Sequence, residues 1–326
     1  RPNSRGLDFS NEFTLKQLES EMNRAAATRV QASSITAAPV ESEAVHDVAN
    51  PANHKDSVGN AAFIKVDAIA DVVATAKAAE HSWAAIAPAA RAAILRRIAD
   101  LFEAHTAELM SLAVREAGKT LTNAIAEVRE AVDFCRYYAD QAEQTLPADS
   151  RSVGTIVAIS PWNFPLAIFT GEVVAALAAG NTVVAKPAEQ TGLIAHYAVK
   201  LMHEAGIPAE ALQLVLGAGD VGAALTQDER IGGVIFTGST EVARLINQTL
   251  AKRSDNPVLI AETGGQNAMI VDSTALPEQV CLDVLNSAFD SAGQRCSALR
   301  ILCVQEDVAD RMINIIKGAK DELVVG

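Results

Sequence analysis

Residues 155–191 read TIVAISPWNFPLAIFTGEVVAALAAGNTVVAKPAEQT, and this stretch decides the fold class. Two short runs rich in β-branched residues, Thr155–Ile159 and Thr182–Ala185, flank a longer apolar stretch, Pro165–Ala179, that is long enough for a helix. Strands that alternate with helices form parallel sheets, so the pattern predicts a βαβ unit.

The alternation continues toward the C-terminus. Further strands are predicted at 212–216, 233–236, 258–260, 268–271 and 300–304. Further helices are predicted at 191–204, 221–225, 240–250, 277–292 and 306–319. The sequence therefore predicts an α/β protein with a parallel sheet covered by helices on both faces.

The N-terminal part of the chain lacks this alternation. Residues 12–31 carry a helical pattern, and residues 32–45, rich in Ala, Ser, Thr, Pro and Glu, are typical of a linker. Residues 67–144 are Ala-dense with apolar residues near helical spacing, which predicts several helices. We expect an N-terminal helical arm and linker over 1–45.

Composition excludes several classes of protein. The 326 residues are 49% hydrophobic with a mean hydropathy of +0.15, so the chain can build a core and is not disordered. A net charge of −13 disfavours nucleic acid and anionic membrane surfaces as partners. Four cysteines without CxxC spacing and six scattered histidines predict neither a disulfide framework nor a metal site, and favour a cytoplasmic location.

Three segments resemble phosphate-binding motifs. Gly118-Lys-Thr120 looks like the end of a P-loop, but Ala113 stands where that motif needs Gly, so a helix C-cap is predicted. Gly217–Gly222 satisfies GxGxxG but lacks the acidic residue expected about 20 residues later. Thr237–Thr240 follows a strand and opens a helix, which fits an anion site and an ordinary N-cap equally well.

Three residues are candidates for chemistry. Cys296 has the small neighbours Ser297 and Ala298, and the adjacent Arg295 would favour a thiolate, although most lone cysteines are buried core residues. Glu262 ends an apolar strand, as a general base or a surface acid would. Asn163 lies in a turn stiffened by two prolines, where its amide would donate to an oxyanion or where the turn is simply rigid.

Together these segments resemble the NAD(P)-dependent aldehyde dehydrogenase superfamily. The ordered motifs are Pro161-Trp-Asn-Phe-Pro165, Lys186-Pro-Ala-Glu-Gln-Thr191, Phe236-Thr-Gly-Ser-Thr240, Glu262-Thr-Gly-Gly265 and Gly293-Gln-Arg-Cys296. Asn3–Asp8, Ala124–Phe134 and Phe289–Arg300 look more closely like the glutamate-semialdehyde (1-pyrroline-5-carboxylate) dehydrogenase module of bifunctional proline-catabolic enzymes.

The resemblance implies roles for individual residues. Cys296 would attack the aldehyde carbon, Asn163 would hold the oxyanion, and Glu262 would activate the water that hydrolyses the thioester. The carboxylate of Glu189 would disfavour a 2′-phosphate, so NAD is expected as the cofactor. The implied cofactor contacts are Pro161, Trp162, Lys186, Ala188, Glu189, Gly219, Phe236, Gly238, Ser239, Thr263 and Gly264. The implied substrate contacts are Phe164, Arg295 and Ser297.

The resemblance also implies a domain plan. We expect an αβα NAD-binding domain over 46–260, with a bridging segment near 141–153, and the start of a catalytic domain over 261–326. The chain has no initiator Met and stops 30 residues after Cys296, before the family's later Glu-x-Phe-Gly-Pro motif, which suggests a piece of a longer protein. An upstream FAD-dependent proline dehydrogenase domain and homo-oligomerisation are expected. Two alternatives stay open: another aldehyde substrate, and a non-catalytic NAD-binding fragment.

Overall fold

A computed structural model describes residues 1–147 and 149–324. The chain divides into two compact units, Arg1–Glu262 and Thr263–Gly326. In chain order the first unit contains α1 (Glu12–Ala26), β1 (Val30–Ser33), β2 (Ser42–Asn50), β3 (Asn53–Ile64), α2 (Ile69–Ala84), α3 (Pro88–Ala104), α4 (Thr106–Ala117), α5 (Leu121–Gln144), β4 (Thr155–Ile159), α6 (Ala167–Ala178), β5 (Thr182–Lys186), α7 (Gly192–Glu204), β6 (Leu212–Leu214), α8 (Gly219–Gln227), β7 (Gly233–Thr237), α9 (Thr240–Leu250) and β8 (Val258–Glu262).

The centre of the first unit is a five-stranded sheet in the order β6-β5-β4-β7-β8. Every pairing in it is parallel, which confirms the predicted βαβ series. Ile156 and Ala158 face the core shared with α6 and α7, whereas Val157 faces the core shared with α2, α8 and α9. Because both faces are buried, the inner strands are apolar throughout rather than alternating.

A further layer of helices covers α6 and α7. In this layer α3 and α5 pack against α6, and α4 packs against α7. Helix α5 buries one face against this core. Ala124, Val128 and Ala131 lie on that face at positions i, i+4 and i+7. Helix α4 ends at Gly118, whose φ of 67° is left-handed, so this glycine is a C-cap as predicted and not part of a P-loop.

The expectation of a linker over 32–45 is wrong at both ends of that stretch, because β1 includes residues 32 and 33 and β2 begins at residue 42, whereas residues 34–41 between them belong to no helix or strand. Strand β1 pairs in parallel with β3, with Val30 opposite Gly59, and β2 pairs with β3 in an antiparallel hairpin. The predicted N-terminal helix is also shorter, ending at Ala26. Strand β1 depends on a partner almost 30 residues away, so local composition does not reveal it. The expected bridging segment near 141–153 includes Ala148, which lies outside the described residues.

The second unit contains β9 (Asn267–Val271), α10 (Pro277–Phe289), β10 (Leu299–Val304) and α11 (Glu306–Asp321). Strands β9 and β10 pair in parallel, and a small core forms around Val271, Val284 and Met312. Helix α10 ends at Phe289, three residues before its predicted end, because a 3₁₀ turn with a left-handed backbone at Ser291 and Ala292 follows it.

Candidate active site

The carboxyl ends of the parallel strands place the predicted site residues of the first unit along one sheet edge. The chain runs from β4 outward to β5 and β6, then returns to add β7 on the other side of β4. The topological switch point therefore lies between β4 and β7. Ligands of open parallel sheets bind at such a point, beside the carboxyl ends of the strands.

The turn after β4 carries the predicted oxyanion donor. It is tied to the neighbouring strand by a hydrogen bond in which the Ser160 N–H donates to the carbonyl of Lys186 at 3.2 Å. Pro165 is buried at the far end of the turn, whereas Asn163 and Phe164 are half-buried and Trp162 is exposed. The turn therefore has fixed ends and presents its middle residues at the sheet edge.

The end of β5 brings together three of the predicted adenosine contacts. Lys186 is buried, and its ammonium donates to the Pro187 carbonyl at 3.0 Å. Burial lowers the pKa of Lys186, while the carboxylates of Glu189 and Asp220 oppose that shift. The α8 turn lies against this side chain, since a Cβ on Gly222 would be 3.6 Å from the Lys186 Cδ, and nothing would obstruct a Cβ on Gly219. An ammonium and a carboxylate beside open glycine backbone fit the two hydroxyls of a ribose.

The turn after β7 combines a helix cap with a glycine that lies against the Phe236 ring. The Ser239 Oγ accepts a hydrogen bond from the Val242 N–H at 3.2 Å, so Ser239 is the N-cap of α9. The Gly238 N–H donates to the Glu262 carbonyl at 3.1 Å, and a Cβ on Gly238 would lie 2.5 Å from the Phe236 ring. The capping interpretation is thus correct, and Gly238 lies directly before the N-cap of α9.

Glu262 ends β8, the edge strand of the sheet, opposite Thr237 in register. Its side chain is exposed, as a base that must reach water requires. The hydroxyl of the same Thr237 lowers the pKa of Glu172, a buried carboxyl on α6 that the sequence analysis did not single out. Burial raises the pKa of Glu172 well above the usual carboxyl range, because the charged form is disfavoured away from water.

Cys296 belongs to the second unit, together with Thr263, Gly264, Arg295 and Ser297. Its side chain is exposed. The Asn267 amide donates to the carbonyl of Cys296 at 2.7 Å and to that of Ala298 at 3.0 Å, so β9 pins the backbone on both sides of Ser297. An exposed sulfur on a pinned turn suits a nucleophile, which must be both accessible and fixed. The core-cysteine alternative is therefore wrong for Cys296.

Arg295 has contacts that serve the turn. Its Nη2 donates to the carbonyls of Asn286 and Ser287 at 2.7 and 3.2 Å, and its Nη1 lies 3.4 Å from Asp290. The two hydrogen bonds satisfy carbonyls in the last turn of α10, and together with the Asp290 contact they fix the chain before Cys296. A contact of Arg295 with substrate remains a prediction.

Several buried carboxyl groups escaped the sequence reasoning. Glu116 and Glu127 lie on the helical layer, and each accepts two backbone N–H bonds from the first turn of a sheet-covering helix. Glu127 lies on the same face of α5 as Ala124 and Ala131, and this position could have shown that its carboxylate faces the core. Among the described residues, no cluster of His, Cys, Asp and Glu could hold a metal ion. No helix in the described part of the chain has the length and apolarity to cross a bilayer.

Glu116 predicts a pH-dependent stability. Its carboxylate accepts from the N–H groups of Leu193 and Ile194 at 2.7 and 2.9 Å, and burial raises its pKa from 4.5 to about 8. The folded state therefore holds this proton more tightly than the unfolded chain, and the stability that it contributes falls as pH rises from about 4.5 to about 8. Relative to Glu116→Gln, the wild-type free energy of unfolding should fall by up to about 1.4 kcal/mol per pH unit in this window.

Urea unfolding at several pH values measures that slope. Glu108→Gln is the control, because Glu108 lies on the same helix with a half-exposed side chain. Parallel pH profiles for wild type and Glu116→Gln would contradict the prediction.

Comparisons with known proteins agree with this geometry. A model described as the aldehyde dehydrogenase family matches residues 38–326. The chain is 53% identical over 335 residues to the bifunctional protein PutA of Klebsiella aerogenes, a match that covers 100% of this chain and 25% of that protein. It is 38% identical over 295 residues to 1-pyrroline-5-carboxylate dehydrogenase of Anoxybacillus flavithermus, covering 85% of this chain and 57% of that protein.

A solved structure extends the likeness to the fold. 1-Pyrroline-5-carboxylate dehydrogenase from Thermus with bound NAD superposes with a TM-score of 0.91 at 29% identity, covering 100% of this chain and 67% of that chain. The chain thus spans about a quarter of its PutA relative and more than half of the 1-pyrroline-5-carboxylate dehydrogenase from Anoxybacillus flavithermus. The fold implied by the five ordered motifs is confirmed, and the chain belongs to the aldehyde dehydrogenase family.

Proposed function

We propose that the protein oxidises L-glutamate γ-semialdehyde to L-glutamate with NAD, as a step of proline catabolism. The observation that carries the proposal is the exposed Cys296 on its pinned turn, because aldehyde oxidation through a thioester needs one accessible, oriented thiolate. The names of the relatives, PutA and 1-pyrroline-5-carboxylate dehydrogenase, support this choice of substrate.

The first unit supplies the cofactor site in this proposal. Lys186 and Glu189 hold the adenosine ribose, while Gly238 and Ser239 meet the pyrophosphate at the N-terminus of α9. A bound NAD supplies the hydride acceptor. The carboxylate of Glu189 repels a 2′-phosphate, which favours NAD over NADP.

The covalent chemistry belongs to Cys296, Asn163 and Glu262. The Cys296 thiolate bonds to the aldehyde carbon, and the resulting oxyanion accepts hydrogen bonds from the Asn163 amide and the Cys296 N–H. After oxidation the substrate is held on Cys296 as a thioester. Glu262 takes a proton from water, the hydroxide attacks the thioester carbon, and the carboxylate product leaves as the sulfur departs.

A substrate and cofactor panel tests the proposal. With NAD, glutamate semialdehyde should give kcat/KM at least about 10-fold above that of a simple alkyl aldehyde, because polar groups of the site that match the substrate go unpaired with an alkyl chain. NADP should be the poorer oxidant. NADH formation measures each rate. Preference for the alkyl aldehyde would support the other-aldehyde alternative, and NAD binding without any turnover would support the non-catalytic one.

The domain plan is part of the same proposal. Residues 46–260 form the NAD-binding domain, and residues 261–326 begin the catalytic domain. An upstream FAD-dependent proline dehydrogenase domain would be the source of the aldehyde, consistent with relatives described as bifunctional. Assembly of the protein as a homo-oligomer in the cytoplasm completes the proposal.

A further inference from the structure

A buried ion pair lies behind the turn that carries Asn163. Lys119 follows the end of α4 and Glu127 lies on α5, with the Lys119 Nζ 3.4 Å from the Glu127 Oε1. The two residues are only 8% and 2% exposed. Removing two charges from water costs several kcal/mol per ion, so such a pair is a poor device for stability alone.

Glu127 also holds the start of α6. Its Oε2 accepts from the Leu166 N–H at 3.1 Å and from the Ala167 N–H at 2.9 Å. Bonds from free helix N–H groups to a carboxylate are charge-assisted and are strengthened by the helix dipole. The first turn of α6 is therefore anchored to α5, and α6 begins directly after the turn that contains Asn163.

Lys119 holds the same turn by a different contact. Its Nζ lies 4.5 Å from the centre of the Phe164 ring, within the range of a cation–π interaction. Lys119 of the ion pair thus contacts the ring of Phe164, and Glu127 accepts hydrogen bonds from the backbone that follows it. Asn163 immediately precedes the segment Phe164–Ala167 that these contacts hold.

We propose that Lys119 and Glu127 are a positioning pair that fixes Phe164–Ala167 and thereby sets where the Asn163 amide meets the substrate oxyanion. The proposal rests on the proposed function. Neither residue touches the substrate. A displacement of about 1 Å at an oriented catalytic group can cost about 100-fold in rate, so the pair acts on kcat through the amide.

The test is a double-mutant cycle in the intact protein. Glu127→Gln keeps an amide oxygen for the α6 N–H groups but removes the charge that holds Lys119. Its kcat should fall about 10- to 100-fold, with the NAD dissociation constant changed less than about threefold. In an Asn163→Ala background the same substitution should cost less than about threefold, because the group that it positions is gone.

Controls separate positioning from folding. Glu143 lies on the same helix as Glu127, about 24 Å further along its axis, and forms an ion pair with Arg96. Glu143→Gln breaks that ion pair and should leave kcat unchanged. If Glu127→Gln does not fold, Lys119→Met carries the same cycle. Loss of kcat of equal size in both backgrounds, or no loss in a folded variant, overturns the proposal. In that case an Asn163→Ala single variant with a strongly lowered but measurable kcat would leave the proposed function standing.

Discussion

Replacing Cys296 with Ala should lower NADH formation from glutamate semialdehyde by about 10⁴-fold or more, while NAD binds as tightly as before. Removing the nucleophile removes the covalent route entirely. The neighbouring Ser297 hydroxyl cannot take over, because an unactivated hydroxyl is a weak nucleophile at neutral pH. Cofactor binding should survive, because the proposed ribose and pyrophosphate contacts lie on β5, β7 and the start of α9, outside the unit that carries Cys296.

The chain offers a matched control for this experiment. Cys303 is the other exposed cysteine, on strand β10 of the same unit, and Cys303→Ala should keep full turnover. NADH absorbance gives the rate, and calorimetric titration gives NAD affinity. Wild-type turnover in Cys296→Ala would refute the thioester mechanism. An equal loss in Cys303→Ala would show that both substitutions act on folding.

The inner strands of the central sheet were predictable because burial on both faces leaves a clear mark. Thr155–Ile159 is apolar and β-branched, and the structure gives β4 these same bounds. Helix α9 likewise spans Thr240–Leu250 as expected, with Ser239 as its cap. Such elements are specified by residues within them, so a single sequence is sufficient to locate them.

Elements that depend on distant partners were not predictable in this way. Strand β1 exists because Val30 pairs with Gly59, where a Cβ would lie 2.2 Å from the Val30 carbonyl oxygen. Only the folded chain shows why a glycine is needed there. Composition alone predicted a linker over 32–45, because Ser and Pro favour turns, and composition does not show that Ser33 and Ser42 pair with β3.

The candidate site likewise contains residues that could be predicted from the sequence and residues that could not. Motifs singled out Cys296, Glu262 and Lys186 as candidates, since each lies at a strand end or a glycine-rich turn. The supporting charges were missed: Lys119 lies in a segment first compared with a P-loop, and its partner Glu127 is eight residues further on. Pairing across a helix terminus has no fixed spacing in sequence, so it becomes visible only when α4, α5 and α6 are packed together.

The second large effect concerns Glu262. Glu262→Gln should leave the first turnover intact and slow the later ones by about 100-fold or more, because only hydrolysis of the thioester needs its carboxylate. Mixing the variant with NAD and glutamate semialdehyde should give a burst of about one NADH per site. Cys296 should then carry one glutamyl group, measurable by mass spectrometry of the intact protein.

The burst distinguishes a general base from a residue that merely shapes the strand end. Gln preserves the backbone of β8, including the carbonyl that accepts from the Gly238 N–H, so the cofactor turn should keep its form. Glu229→Gln, an exposed acid on the loop before β7, is the control and should show steady turnover. A Glu262→Gln variant that slows the burst as much as the steady state would assign Glu262 to an earlier step. Accumulation of the acyl group on Cys296 requires that the Glu262 carboxylate act after oxidation. The thiol and the base therefore act in successive steps of one reaction.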